Sequence, residues 1–306
     1  MSEPAVQPVV APAGDGPGYP DHLRVMVDAY LETIVFSGEA DLGGLEEAMR
    51  YSLLAPGKRI RPVLALATAG AVHADPDGLL PLAAALELIH TYSLIHDDLP
   101  AMDDDSLRRG RPTCHVAYGE NVAILAGDAL YAEAFRHVLL HQTGPADRLL
   151  ATVAELAGST GVEGMVGGQY LDVSGRARPG PDGLRRLHAL KTGRLIAAAI
   201  ECVLILMDVG PGERLHYGRF ASELGVLFQI VDDILDVTGT DAALGKPSGS
   251  DERHGKRTYV SEHGLDHARR LAAASHANAL RSLEAAAPDG AGELRQMTDF
   301  IYTRTS

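Results

Sequence analysis

The chain has no tryptophan, only two cysteines and few aromatic residues, 5% of the total. Cys114 and Cys202 are far apart in a long chain. That pattern excludes the disulfide framework of small secreted domains and leaves stability to a packed core. Basic residues are the scarcer sign, 27 Lys and Arg against 41 Asp and Glu, for a formal net charge of −14. Such a balance argues against a nucleic-acid binder that works by bulk charge. An anionic substrate would need a local cluster of cations instead. Long apolar runs are also missing. The longest, Leu195 to Met207, is broken by Glu201 and falls short of the roughly 20 residues of a membrane span. The start, MSEPAVQPVV, lacks the basic and apolar regions of a signal peptide. These absences predict a soluble, cytoplasmic protein with no membrane span.

Leucine and alanine dominate, and no convincing alternating strand pattern occurs, which predicts helices packed on helices. Residues 1–18 hold four prolines and three glycines and read as a disordered tail. The single domain then covers 19–306. Helices are expected at about 20–36, 42–54, 58–73 and 76 to the first aspartate cluster. Further ones are expected at about 121–142, 146–173, 182–207, 212–238, 261–287 and 291–303. Gly144-Pro145, Pro179-Gly180-Pro181 and Gly210-Pro211-Gly212 punctuate them. A Gly-, Lys- and Asp-rich loop fills 239–257.

Two aspartate clusters stand out against this apolar background. In the second, Gln229, Asp232, Asp233 and Asp236 fall at helical spacings of 0, 3, 4 and 7, on one stripe. Like charges on one stripe repel unless a cation neutralises them. A solvated acidic face is the plainer alternative. The apolar residues all round it favour a buried helix and a metal site. In the first, Asp97 and Asp103 are six residues apart, which on a regular helix points them about 120° from one another. They could share an ion only if the helix breaks at Leu99-Pro100. Otherwise the segment is a plain helix C-terminus, where acids are disfavoured. Asp98, Asp104 and Asp105 add to the charge there.

Basic residues gather in Gly57-Lys58-Arg59-Ile60-Arg61 and in Arg108-Arg109-Gly110-Arg111, with Lys191-Thr192, Lys246 and Lys256 further on. Arginine suits bidentate phosphate recognition. Each segment alone is weak; together they could hold two phosphorylated substrates.

These motifs occur in the order GKRIRP, ELIHTYSLIHDDLPAMDDDSLRRGRPTCH, ILAGDAL, GGQYLD, LKTGRL, FQIVDDILDVTG, LGKPSGSD and GKRTY. In this the chain resembles the trans-isoprenyl diphosphate synthases from about residue 25 onward. It is most similar to bacterial farnesyl-forming members, then to geranylgeranyl-forming ones. The resemblance implies an all-α, single-domain fold of long, mostly antiparallel helices around a deep central cavity, as a homodimer. It implies head-to-tail condensation of an allylic diphosphate with isopentenyl diphosphate. Asp97 and Asp103 would bind two Mg²⁺ ions, supported by Asp98. A third would lie at Asp232, with Asp233 and Asp236 near it. Arg108, Lys191 and Lys246 would hold the allylic diphosphate, near Gln229. Lys58, Arg61, His90 and Arg109 would hold the isopentenyl diphosphate. Thr192 and Gln169 would face the carbocation, and Lys256 would help close the site. Gln169 could instead cap a glycine-rich bend.

Tyr92 and Ser93 lie about one turn before Asp97 and are the expected floor for the growing chain. A ring at Tyr92 implies a fifteen-carbon product, unless it packs sideways. His96 reads as structural, and Cys114-His115 as packing. A non-catalytic partner subunit would have lost aspartates, and a terpene cyclase would carry a different second motif. Both motifs are intact here.

Overall fold

The computed structural model describes residues 18–239, 255–288 and 290–304. Lys246, nearly all of the expected tail and most of the expected loop at 239–257 lie outside the described residues. The fold is all-α. The first helices are α1 (Asp21–Thr33), α2 (Gly43–Leu53), α3 (Ile60–Ala71) and α4 (Leu80–Asp97). A hairpin of β1 (Leu107–Arg108) and β2 (Arg111–Pro112) precedes α5 (Cys114–Tyr118), α6 (Glu120–His141), α7 (Ala146–Thr160) and α8 (Met165–Val173). Then follow α9 (Gly180–His188), α10 (Arg194–Leu206), α11 (Pro211–Thr238), α12 (Tyr259–His263), α13 (Leu265–Ala286) and α14 (Gly292–Thr303).

Sequence character decides which helices are central. In α3 every residue but Gly70 is buried, including Arg61. A helix that is apolar all round has no solvent face and must sit inside. Most of α4 and of α10 is buried in the same way. A 3₁₀ turn, Pro76–Leu79, leads into α4, and the Asp75 carboxylate caps that turn by accepting from the Asp77 amide at 3.1 Å. The span Pro76–Asp97 is long and apolar enough to cross a membrane by length and composition, but 67% of its apolar window is buried inside the fold. It is a core helix. The longest element, α11, buries Tyr217, Phe220, Leu224, Leu227 and Val231 at helical spacing. It lies along α13, whose buried face is mostly small: Ala268, Ala272, Ser275, Ala279. Small residues let the two axes approach closely.

Three expectations need correction. The helix expected at 146–173 is two, α7 and α8, separated by a turn around Gly161–Gly164. The helix expected at 182–207 is interrupted by a π-turn at Ala189–Gly193. A short antiparallel ribbon exists where no strand was expected, with Leu107 opposite Pro112. Its two turn residues, Arg109 and Gly110, have φ of 53° and 73°. Tight hairpins require such positive values. The usual Asn-Gly signal is replaced here by Arg-Gly, so the turn was hidden.

Tyr30 of α1 and His137 of α6 share a hydrogen bond of 3.0 Å in the core. Burial holds the His137 imidazole down to about 4, with His141 and Arg136 adding to the effect. It is neutral in the fold, whereas an unfolded chain titrates it near its ordinary value of about 6.5. The sign follows: its contribution is complete above about 6.5 and is lost as pH falls toward 4. His137→Gln is expected to flatten the decline of the urea midpoint over that window. An unchanged pH profile would refute this.

Candidate active site

The first aspartate cluster sits where α4 ends. The helix breaks at Leu99-Pro100: the Asp103 amide donates to the Asp97 carbonyl at 2.9 Å, and the Asp104 amide to the Leu99 carbonyl at 3.1 Å. The turn therefore folds Asp103 back beside Asp97, as the spacing required. Burial pushes the Asp97 carboxyl up to about 6; Lys191 opposes this and Asp103 reinforces it. From α8, the Gln169 amide donates to Asp97 Oδ1 at 2.7 Å. Gln169 lies within a helix and does not cap a bend. Its own carbonyl oxygen is buried without a hydrogen-bond partner.

Asp98 points to the other side. It takes a bidentate pair from Arg108, at 2.6–2.9 Å. In this conformation Arg108, expected on the allylic diphosphate, is held by Asp98. Asp98 accordingly supports an arginine, and its carboxylate is 3% exposed.

The second cluster lies on α11. Thr192 in the π-turn donates to the Gln229 side-chain oxygen at 2.8 Å, and the Gln229 amide donates to Asp233 Oδ1 at 2.7 Å. Asp233 Oδ2 accepts from the Tyr259 backbone amide at 2.7 Å. Asp233 is thus turned inward and braces both the π-turn and the start of α12. Asp236 is also buried. Asp232 is the outward member, and Arg304 near the C-terminal end of the sequence reaches it at 2.5 Å while covering the Phe228 ring.

A cleft lined by Asp172, His188, Lys191, Gln229, Asp233 and Lys256 lies beside the second cluster. Lys256 spans it, donating to Asp103 Oδ2 at 2.8 Å. Lys191 donates to Asp172 Oδ2 at 2.6 Å. The π-turn presses so closely on α8 that a Cβ at Gly168 would lie 2.2 Å from the Lys191 amide nitrogen. A π-turn re-aims the residues it contains, and such turns are frequent at functional sites.

A cationic group gathers around His90 on α4. His90 is partly buried, and its imidazole is held well below its ordinary range by burial, then by Arg61, Arg109, Arg108 and Arg59. Burial lowers Arg61 to about 10, while Glu87 and Asp232 pull it back up. Lys58 sits over the Phe300 ring at 5.0 Å. Arg109 donates to the Pro56 carbonyl at 2.8 Å. A Cβ at Gly57 would stand 2.5 Å from the Arg109 guanidinium. Arg59, Asp104 and Arg109 all have positive φ, and strained backbone of this kind concentrates at functional sites.

One turn before Asp97, Tyr92 is buried in an aromatic group. It meets Tyr131 edge-on at 4.8 Å and His96 at 5.7 Å, and Tyr131 meets Phe135 at 5.1 Å. Ser93 bonds back to the His90 carbonyl at 2.8 Å. His96 bonds the Ile124 carbonyl at 3.1 Å against Gly127 of α6, a structural place. Cys114 is buried, and the His115 imidazole shares a hydrogen bond of 3.1 Å with the Thr113 hydroxyl in its own turn.

Sequence reasoning missed Asp172, Glu87, His188 and Arg304. Asp172 and Glu87 were findable as acids in apolar helices. His188 stacks on Tyr259, and Arg304 reaches the site by tertiary packing alone.

The carboxylate-rich donor set suits a hard divalent ion. Among the described residues no three acidic, His or Cys side chains converge closely enough to hold one ion as they stand. Lys256, Arg304 and the Gln169 amide occupy the outward carboxylates, so ligation requires those partners to yield.

Comparison with known proteins places these features in context. The family model described as polyprenyl synthetase matches residues 43–295. Farnesyl diphosphate synthase of Escherichia coli is 44% identical over 265 residues, 84% of this chain and 88% of that one. The chloroplastic geranylgeranyl pyrophosphate synthase of Capsicum annuum is 44% identical over 263 residues, 85% of this chain and 71% of that one. Among solved structures, the geranyltransferase of Helicobacter pylori complexed with magnesium and isoprenyl diphosphate superposes with a TM-score of 0.84. It is 29% identical and covers 94% of this chain and 100% of that one.

The elevated Asp97 carboxyl has a measurable consequence. Near pH 6 a good part of it carries a proton, which a cation bound there would displace. Mg²⁺ binding is expected to release protons at pH 6 and few at pH 8. Calorimetry in buffers of different ionisation heat measures this. Equal release at both values would refute it.

Proposed function

The chain belongs to the polyprenyl synthetase family, and we propose that it condenses isopentenyl diphosphate head-to-tail with dimethylallyl or geranyl diphosphate, ending at farnesyl diphosphate. It is a trans-prenyltransferase. The observation that supports the finer reading is the cationic group around His90, together with Lys256, which lines the cleft beside Asp233 and reaches Asp103 of the first cluster.

Asp97 and Asp103 would hold two magnesium ions, and Asp232 a third with Asp236 nearby. Bound magnesium supplies charge neutralisation for the aspartates and for the departing diphosphate. Arg108, released from Asp98, and Lys191, released from Asp172, bind the allylic diphosphate and stabilise the charge it gains as its carbon–oxygen bond breaks. Lys58, Arg61, His90 and Arg109 orient the isopentenyl diphosphate. The Thr192 hydroxyl, fixed by Gln229, and the buried Gln169 carbonyl oxygen turn negative dipole ends toward the allylic cation. The isopentenyl double bond attacks it, a carbon–carbon bond forms, and a proton passes to the departed diphosphate. The dry helix interior keeps water from quenching the cation.

Tyr92, backed by Tyr131 and Phe135, closes the path of the growing chain. A homodimer fits the exposed apolar residues Val116, Ile124, Leu125, Leu139 and Leu140 on α5 and α6.

The test is a product assay with Mg²⁺, isopentenyl diphosphate and dimethylallyl or geranyl diphosphate, resolving the dephosphorylated alcohols by length. Farnesol is expected to dominate, and Tyr92→Ala to shift the main product to twenty carbons or longer. Geranylgeraniol from the unaltered enzyme would keep the reaction class and remove Tyr92 as the floor. No chain growth would overturn the reading. Light scattering is expected to give twice the chain mass, with Leu125→Glu halving it.

A further inference from the structure

We infer that Glu87 is a positioning residue for the isopentenyl diphosphate subsite, acting through Arg59; this rests on the functional reading above.

Neither residue is used by the chemistry described so far, yet both are almost fully enclosed. The side chains of Arg59 and Glu87 are 3% and 2% exposed, and their ion pair is 2.7 Å long. Arg59 also donates to Asp28 of α1 at 2.8 Å and to the Ala55 carbonyl at 3.0 Å. Its three nitrogens are therefore all engaged, to three different parts of the fold. An ion pair this deep is costly to desolvate and gives little net stability compared with apolar packing. Its backbone is costly as well, with Arg59 in the left-handed region at φ 52°. A costly arrangement in a well-packed core calls for a role beyond cohesion.

The neighbours of the pair supply that role. Lys58 and Arg61 flank Arg59 in the chain. His90 is one turn beyond Glu87 on α4, on the same side of the helix. Arg109 shares the Ala55 carbonyl with Arg59, at 3.4 Å, and docks on the Pro56 carbonyl beside it. All four residues assigned to the isopentenyl diphosphate are thus one short step from this pair. Glu87 is also the leading attractive charge felt by Arg61 and by Arg109. One buried carboxylate sets the loop that carries two of the cations and docks a third. It also offsets part of their mutual repulsion before any diphosphate arrives.

Glu87→Gln keeps the shape and the acceptor and removes the charge. Purified protein is compared with the unaltered enzyme by steady-state kinetics, varying each diphosphate in turn. The KM for isopentenyl diphosphate is expected to rise about tenfold, with kcat and the allylic KM within about twofold, the pattern of a lost binding contribution specific to one substrate. A double variant, Arg59→Met with Glu87→Met, guards against simple destabilisation, since apolar replacement of a buried pair can restore stability. Its isopentenyl KM is expected to stay high even where its melting temperature recovers. Recovery of both together would mean a merely structural pair and overturn the inference. So would a Glu87→Gln enzyme whose two KM values move in step, or whose isopentenyl KM does not move. An unaltered enzyme that consumes no isopentenyl diphosphate would instead overturn the functional reading on which the inference rests.

Discussion

Repulsion among carboxylates is the constraint around which this molecule is built. Lys256, in the cleft beside Asp233, reaches Asp103, so the two aspartate clusters lie near one another in a chain that already carries a net charge of −14. The protein offsets the repulsion with its own cations and donors: Lys256 on Asp103, Arg304 on Asp232 and the Gln169 amide on Asp97. Each partner comes from a distant part of the chain. The charge pattern therefore fixes which helices must meet, and the apolar faces of α3, α4, α10 and α11 provide the packing that holds them there.

Irregular backbone does much of the aiming. The break after α4 turns Asp103 back, the π-turn before α10 presents Lys191 and Thr192, and the left-handed Arg59 and Arg109 place cations where a regular helix could not. Regular helices supply rigidity around these points. Asp233 links the two kinds of structure, since one of its oxygens holds the Gln229–Thr192 chain and the other caps α12.

Much of this was legible in the sequence. The all-α class followed from composition and periodicity. The stripe at Gln229, Asp232, Asp233 and Asp236 followed from spacing, as did the requirement that Leu99-Pro100 break the helix. What spacing could not reveal was direction within the stripe: Asp233 faces inward and Asp232 outward, a matter decided by α12 and Arg304. The π-turn was hidden because one extra residue per turn leaves local composition unchanged. The hairpin was hidden because its turn uses arginine where asparagine is usual. Arg59 read as one member of the basic segment at 57–61, and only tertiary packing exposes its link to Glu87.

The hairpin carries a consequence for how the gene can vary. Its turn sends consecutive arginines to different partners, Arg108 to Asp98 and Arg109 to the carbonyls of Ala55 and Pro56. Arg108 ends the strand and Arg109 sits in the turn itself at φ 53°, so inserting or deleting one residue there would change which cation meets which target. A hairpin tip ordinarily absorbs such changes of length. Here length is constrained, because one two-residue turn places both cations.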